Sequence, residues 1–333
     1  MKKLSFYFLT LLFSSTVLLS SFTNKDVQPI STNPTDEFEI LVNYLEANSN
    51  FIITDASTAI ISADEVKKNI KNTTYKVIDI RSESWYEYGH IKNSANVKAA
   101  DLLDYFENKI NPQDYEKIVM VCYSGQSAAY FTSLLRIAGY KNVYSMKWGM
   151  SSWRTDFAEN SWLKNTKNDL ASKVETTGNL KAEKGEYPTI NTGKTEAEDI
   201  LRARLEKEFA TPYKESIIKA EDVFENPSNY YIVSYCDQNT YNKGHIPGAI
   251  RYEPNHSSLL TTTDLSTLPK DKKVLVYCPT GQKAAHVVAY LNVLGYDTGN
   301  LAYGSNSFMT KILKENNCDP FTNKEINMYP VVE

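Results

Sequence analysis

Short apolar runs alternate with amphipathic stretches along most of the chain. Runs such as VIDI (77–80) and KIVMV (117–121) have the length of buried strands, and the stretches between them repeat their apolar residues every three or four positions. This alternation predicts a parallel sheet covered by helices on both faces, an α/β fold. In such a sheet, ligands bind beyond the carboxyl ends of the strands.

The pattern occurs twice. A shift of 156 positions places Cys122 on Cys278, and the flanking segments follow within a residue or two. The corresponding pairs are IISADEV (60–66) with IIKAEDV (217–223), VIDIRS (77–82) with IVSYCD (232–237), VMVCYSGQSAAY (119–130) with VLVYCPTGQKAAH (274–286), and KWGMSSW (147–153) with AYGSNSF (302–308). One long period that is present twice indicates a duplicated domain and not a solenoid.

The positions of the two repeats predict a domain over residues 36–162, a polar linker over 163–194 and a second domain over 195–333. Each domain begins with an amphipathic stretch, at 36–47 and at 195–209, that predicts a helix. Thr195 followed by Glu198 is typical of a capping box at the start of the second helix.

The amino terminus has the pattern of an export signal. Lys2 and Lys3 precede an apolar stretch that runs to about Leu19, and small residues follow. We expect residues 1–23 to be a cleaved signal peptide, with an uncleaved anchor as the alternative, and residues 24–35 to be an extended tether. The expected location is the periplasm or another extracytoplasmic compartment, with no stable membrane association after cleavage.

A net charge of −4, with charges of both signs interspersed, provides no basic stripe for nucleic acid. A small molecule or a protein is the expected partner, and the chain is expected to be a monomer. The four cysteines are too few and too scattered for a disulfide scaffold, and no CxxC pair suggests a metal site, so neither a metal nor another cofactor is predicted.

Cys122 and Cys278 each stand between a strand and a helix, in a loop of six residues. The two loops are CYSGQS and CPTGQK, which consist of Cys122, Tyr123, Ser124, Gly125, Gln126 and Ser127, and of Cys278, Pro279, Thr280, Gly281, Gln282 and Lys283. A loop this tight directs backbone N–H groups inward, and the helix that follows adds partial positive charge. A cysteine at its centre is expected to be a thiolate nucleophile. For one such loop alone a buried structural thiol is the favoured interpretation, but the duplicated constellation is specific.

With these motifs the chain resembles the rhodanese family of sulfurtransferases in both halves. The matching segments are VIDIRSESWYEYGHI and CYSGQSAAYFTSLLRIAGYKNV in the first half, and YNKGHIPGAI and CPTGQKAAHVVAYLNVLGY in the second. The resemblance implies two tandem rhodanese-like domains. It also implies that the loop cysteine takes sulfane sulfur from a small anionic donor such as thiosulfate and passes it, as a persulfide, to a thiol or cyanide-like acceptor.

The two halves differ beside the loop. The first keeps the family's Asp79 and Arg81, whereas the second has Ser234 and Cys236 there. Arg81 is expected either to recruit the donor or to pair with a neighbouring carboxylate, and the sequence does not choose. Cys236 is either a small buried residue or a thiol that resolves the Cys278 persulfide as a disulfide.

Two other functions compete with sulfur transfer. A cysteine phosphatase needs an Arg six residues after the cysteine to grip phosphate, and Ala128 and Ala284 stand there, so this function is set aside. A non-catalytic sulfur carrier, sensor or protein-binding module remains an alternative for the second domain. His90 and His245, each within a GHI segment, are expected to anchor backbone, and Cys318 has no expected role.

Overall fold

The structure is a computed structural model and describes residues 36–49, 59–254 and 258–333. The signal peptide predicted over 1–23 and the tether predicted over 24–35 lie outside these ranges. Among the helices that the described ranges contain, none has both the length and the apolar composition needed to cross a bilayer.

The first unit is a parallel five-stranded sheet with the strand order β1-β5-β4-β2-β3. Its strands are β1 (Ile60–Ile61), β2 (Tyr75–Asp79), β3 (Ala95–Asn96), β4 (Lys117–Val121) and β5 (Val143–Met146). The helices in this half of the chain are α1 (Glu37–Ser49), α2 (Ala63–Lys68), α3 (Glu83–Tyr88), α4 (Leu102–Asp104), α5 (Gln126–Ile137) and α6 (Thr155–Glu159). The helix α4 is short, because Tyr105–Lys109 continues it as a π-helical turn.

The second unit repeats this topology with the order β6-β10-β9-β7-β8. Its strands are β6 (Ile217–Ile218), β7 (Tyr230–Tyr235), β8 (Ile250–Tyr252), β9 (Lys273–Tyr277) and β10 (Thr298–Leu301). The helices after α6 are α7 (Trp162–Asn165), α8 (Ala197–Ala210), α9 (Ala220–Glu225), α10 (Gln238–Lys243), α11 (Gln282–Val293) and α12 (Thr310–Asn316). The capping box predicted at Thr195 is wrong, since Glu196 occupies the cap of α8 and makes no side-chain capping bond.

The central strand of each sheet is buried on both faces. In β4, Ile118 and Met120 pack into one apolar core, while Val119 and Val121 pack into another on the opposite face. Successive side chains of a strand point to opposite faces, so helices must cover both sides. The predicted fold, two parallel sheets flanked by helices, is therefore confirmed.

The two units share one core. Leu134 of α5 and Val288 of α11 belong to the same cluster of buried apolar side chains, and these two helices pack against each other. Because α5 and α11 each start at a cysteine loop, the packing that joins the units also brings the two loops towards one interface.

Each unit is also crossed by a segment that is remote in sequence. The backbone of Val332, near the carboxyl terminus, pairs antiparallel with His90 of the first unit. Glu175, in the predicted linker, pairs in the same way with His245 of the second unit. The linker and the carboxyl-terminal tail thus pack as parts of the two units.

Candidate active site

The Cys122 loop surrounds its sulfur with backbone donors. The Sγ atom accepts the N–H of Gly125 at 3.1 Å and that of Ala128 at 3.3 Å, and the thiol is 1% exposed. Gly125 has φ of +87°, a left-handed conformation that glycine adopts without a steric penalty. This turn lets the chain leave β4 and enter α5 with its first N–H groups directed at the sulfur, so negative charge on the sulfur is stabilised.

The Cys278 loop has the same form. The Sγ atom accepts the N–H of Ala284 at 3.4 Å and lies 3.7 Å from the hydroxyl oxygen of Thr280. Gly281 is left-handed with φ of +68°. The structure therefore places both predicted cysteines in equivalent loops at the carboxyl ends of the central strands β4 and β9.

In each unit a second segment donates a backbone hydrogen bond to the cysteine loop. Met150 N–H donates to the carbonyl of Cys122 at 2.8 Å, and Ser305 N–H donates to the carbonyl of Cys278 at 3.1 Å. A Cβ atom on Gly304 would stand 2.0 Å from the carbonyl oxygen of Cys278, so only glycine allows this approach. The segments 147–153 and 302–308 are recognisable in the sequence as a repeat, but spacing does not show what a loop contacts.

The glutamine side chain of each cysteine loop makes hydrogen bonds to the other unit. The side chain of Gln126 donates to the carbonyl of Leu301 at 3.2 Å and accepts the N–H of Tyr303 at 2.9 Å. The carboxamide oxygen of Gln282 accepts the N–H of Trp148 at 3.0 Å. Both were predicted as residues of their own loops, and the structure directs both side chains into the other unit.

The remaining residues of the first loop are held by neighbours. The hydroxyl of Tyr123 contacts Ser82 at 3.2 Å, and its ring meets Trp85 edge-on at 6.0 Å. The carbonyl of Ser124 accepts the indole N–H of Trp162 at 2.9 Å, and Ser127 is half-buried in the first turn of α5. These contacts close the side of the loop that faces α3 and α7.

Asp79 and Arg81 form a buried ion pair. Arg81 is 2% exposed and donates to the carboxylate of Asp79, at 2.7 Å for the closest pair of atoms, and to the carbonyl of Gly89 at 2.7 Å. Of the two expectations for Arg81, the structure shows the pairing with a carboxylate. The guanidinium fixes the turn before His90.

The corresponding place in the second unit borders a cavity of about 440 Å³. Cys236 and Cys278 both line it, together with Pro279, Thr280 and Lys283. The thiol of Cys236 contacts the hydroxyl of Ser234 at 3.2 Å, and burial raises its pKa to about 12. Cys236 thus lies at the same cavity as Cys278, as the resolving hypothesis requires, but as a protonated thiol at neutral pH. That hypothesis stays a prediction.

Cys318 lines the same cavity from the loop after α12. The sequence indicates no role for Cys318, because forty positions separate it from Cys278 and no motif surrounds it. All four cysteines lie in the described ranges, and all are free thiols.

His90 and His245 have matching surroundings. The Nδ1 atom of each lies at hydrogen-bond distance from a carbonyl four residues earlier, 3.0 Å from Tyr86 and 2.9 Å from Tyr241, and each ring stacks on that tyrosine. These contacts anchor backbone, as expected from sequence. Across residues 36–49, 59–254 and 258–333, no group of three or more His, Cys, Asp or Glu side chains is arranged to hold a metal ion.

The sequence matches a known domain family and individual relatives within it. The profile of the Rhodanese-like domain matches residues 62–156 and 219–311. The thiosulfate sulfurtransferase GlpE of Coxiella burnetii is 34% identical over 95 residues, which are 28% of this chain and 85% of the relative. The protein of the same name from Pseudoalteromonas translucida is 32% identical over 83 residues, 25% of this chain and 76% of the relative.

Solved structures also resemble the chain. The thiosulfate sulfurtransferase of Pseudomonas aeruginosa is 15% identical and aligns over 90% of this chain and 48% of its own, with a TM-score of 0.28. SseA of Escherichia coli, described among 3-mercaptopyruvate sulfotransferases, is 17% identical and aligns over 74% of this chain and 98% of its own, with a TM-score of 0.25.

Proposed function

We propose, from the premise that this chain belongs to the rhodanese-like family, that it transfers sulfane sulfur from a small anionic donor such as thiosulfate to a thiophilic acceptor. A persulfide on Cys122, on Cys278 or on both carries the sulfur. The observation that carries this proposal is the Sγ atom of Cys122, which accepts two backbone N–H groups at the amino-terminal end of α5.

In the first half-reaction, the thiolate attacks the outer sulfur of thiosulfate. A bond forms between Sγ and that sulfur, the sulfur–sulfur bond of thiosulfate breaks with its electron pair, and sulfite leaves. The charge is conserved, because a thiolate and a dianion become a persulfide anion and a dianion. The N–H groups of Gly125 and Ala128 stabilise negative charge at the sulfur and need no rearrangement during the step.

In the second half-reaction, the acceptor attacks the outer sulfur of the persulfide. Cyanide leaves as thiocyanate, or a thiol leaves as a new persulfide, and the cysteine returns to the thiolate. The same backbone donors then hold the leaving thiolate, so the loop serves both halves of the cycle.

The second unit retains a cysteine loop with a backbone donor, which is what this chemistry uses. The departure from the family at Ser234 and Cys236 removes the equivalents of Asp79 and Arg81, which in the first unit form a buried pair that supports a turn. The Cys278 loop keeps its backbone donor from Ala284, and Lys283 adds a cation at the cavity for an anionic donor. These observations favour catalysis over a purely non-catalytic second unit.

The test is to incubate the reduced protein with thiosulfate, and separately with mercaptopyruvate, and to locate added sulfur by peptide mass spectrometry. Cys122→Ser and Cys278→Ser are the matched variants, and each should lose the sulfur at the replaced position while the other loop cysteine retains it. Sulfur on neither cysteine of the unaltered protein would end the proposal. Sulfur on Cys122 alone would make the second unit an accessory module.

We also propose that the protein is exported and that residues 1–23 are removed. The support is the sequence pattern, in which two lysines precede an apolar stretch and small residues follow. Sequencing the amino terminus of protein from the native host tests this. A terminus that still carries Lys2 and Lys3 would favour the uncleaved anchor.

A further inference from the structure

Three thiols border one cavity in the second unit. Cys236 follows β7, Cys278 follows β9 and Cys318 follows α12, and all three line the cavity of about 440 Å³. Cys278 is 1% exposed and Cys318 is 9% exposed, so Cys318 is the more accessible of these two. A persulfide on Cys278 would place its outer sulfur about 2 Å beyond Sγ.

The loop that carries Cys318 is fixed in an unusual shape. The residues on either side of it, Asn317 and Asp319, both have φ of +52°, a left-handed conformation that Asn and Asp adopt more readily than other non-glycine residues. Both flanking residues also line a second cavity of about 830 Å³, so the loop stands between two cavities. A conformation of this kind persists only where its surroundings hold it.

Asn306 supplies that support and ties the Cys318 loop to the Cys278 loop. Its buried side-chain nitrogen donates to the carbonyl of Pro279 at 2.9 Å and to the carbonyl of Asp319 at 3.0 Å. Its side-chain oxygen accepts the N–H of Phe321 at 2.8 Å. One carboxamide therefore fixes the position of both cysteine-bearing loops.

The first unit lacks this tether. Ser151 occupies the position of Asn306 in the repeat, and its hydroxyl donates to the carbonyl of Tyr123 at 2.9 Å, as Asn306 does to Pro279. A hydroxyl carries one hydrogen, whereas the carboxamide has two N–H groups and an acceptor. The substitution thus adds the bonds to the Cys318 loop while retaining the bond to the cysteine loop.

Cys236 is poorly suited to attack a persulfide. Its thiol keeps its proton because burial raises its pKa to about 12, and its sulfur contacts the hydroxyl of Ser234. A neutral thiol is a poor nucleophile.

We propose that Cys318 is a second sulfur-carrying site, which takes the outer sulfur from a persulfide on Cys278 and presents it to a thiol acceptor. This rests on the proposed function. The Cys318 thiolate attacks the outer sulfur, a bond forms from its Sγ to that sulfur, and the bond from Cys278 Sγ breaks with its electron pair remaining on Cys278. The proton of the Cys318 thiol passes to the outer sulfur of the Cys278 persulfide anion and stays on it, so a thiol and a persulfide anion become a persulfide and a thiolate, and no external oxidant is needed. The N–H of Ala284 stabilises the Cys278 thiolate that leaves.

The experiment follows the added sulfur peptide by peptide. Trypsin separates all four cysteines, since Cys122, Cys236, Cys278 and Cys318 fall in peptides 118–136, 220–243, 274–283 and 315–324. The reduced protein is loaded with thiosulfate, alkylated and digested, and a sample treated with dithiothreitol shows which added sulfur is sulfane sulfur. We expect one extra sulfur atom on peptide 274–283 and on peptide 315–324, and none on 220–243.

Three variants test the order of transfer. Cys278→Ser should leave peptide 315–324 without extra sulfur, and Cys318→Ser should leave the sulfur on peptide 274–283. Asn306→Ser, which introduces the residue of the first unit, should load Cys278 and carry about 30-fold less sulfur on Cys318, the effect of losing the two hydrogen bonds to Asp319 and Phe321.

Each other outcome overturns a distinct statement. Sulfur on Cys278 with none on Cys318 rejects the second site and leaves the proposed function intact. Sulfur on neither Cys278 nor Cys318 rejects both sulfur transfer in the second unit and the second sulfur-carrying site. Sulfur on Cys318 in the Cys278→Ser variant rejects transfer from Cys278, and a disulfide between peptides 220–243 and 274–283 assigns the reaction to Cys236.

Discussion

The side-chain oxygen of Gln126, in the first unit, accepts the backbone N–H of Tyr303, in the second, at 2.9 Å. Gln282 makes the reciprocal bond to the N–H of Trp148. Tyr303 and Trp148 are both left-handed, with φ of +60° and +64°, and each precedes the glycine that approaches the carbonyl of its unit's cysteine. Each cysteine loop is thus supported by a glutamine that belongs to the other loop.

Replacing Gln126 by Ala should therefore affect the second loop as well as stability. The variant leaves the N–H of Tyr303 and the carbonyl of Leu301 without their partner, and each unsatisfied buried group costs about 1–3 kcal/mol. We expect a lower free energy of unfolding in urea and slower loading of Cys278 with sulfur. Gln238→Ala, on the exposed face of α10, is the matched control and should change neither. Loading of Cys278 that stays at the original rate would contradict the coupling.

Asp79→Ala should be strongly destabilising, because it leaves the guanidinium of Arg81 buried without its carboxylate. Removing one partner of a buried ion pair costs about 3–5 kcal/mol. The double variant Asp79→Ser with Arg81→Cys copies Ser234 and Cys236 of the second unit and removes both charges, so it should cost less than the single change. Denaturant unfolding of the three proteins measures this. A double variant less stable than Asp79→Ala would refute the argument.

The features that sequence predicted are local or repeated. Strand length, apolar alternation and the glycine of the Cys122 loop are encoded within a few residues, and the second copy distinguished a functional loop from a buried thiol. The duplicated α/β fold and the rhodanese family were accordingly predicted and confirmed.

The features that sequence did not predict are contacts between remote segments. Gln126 and Tyr303 are 177 positions apart, and a glutamine at the start of a helix carries no local sign of which carbonyl it meets. The same holds for Cys318 at the Cys278 cavity. The choice between two partners for Arg81 depended on burial, which places the guanidinium against Asp79 and the carbonyl of Gly89.

Alkaline pH should destabilise the fold through groups that are buried in protonated form. Burial raises the pKa of Cys236 from an ordinary value near 9.0 to about 12, and it also raises the pKa of Tyr277 and of Tyr213. A raised pKa in the folded state contributes stability that is complete below the ordinary pKa and is lost as pH rises through the folded value. We expect the free energy of unfolding to fall from about pH 9 upward. Urea titrations at successive pH values measure this. In the Cys236→Ala variant the free energy of unfolding should fall less steeply with pH, because the contribution of the Cys236 thiol is absent. A free energy that stays constant above that pH would contradict the assignment.

The carboxyl-terminal tail should stabilise the first unit, although it follows the second in sequence. Tyr329 N–H donates to the carbonyl of Trp153 at 2.8 Å, and its ring meets that indole edge-on at 5.0 Å, while the indole N–H donates to the carbonyl of Pro330 at 3.0 Å. Tyr329→Ala removes the ring contact and should lower the free energy of unfolding by about 1–3 kcal/mol. It should also alter the tryptophan fluorescence, because Trp153 is otherwise fully buried.

Met328→Ala is the control for that variant, since Met328 is 63% exposed and precedes Tyr329 in the same tail. Its free energy of unfolding should stay within about 0.5 kcal/mol of the unaltered protein. Equal losses in both variants would show that the tail tolerates neither change and that the contact with Trp153 is not the source. No loss in either would mean that the contact of Tyr329 with Trp153 does not stabilise the first unit.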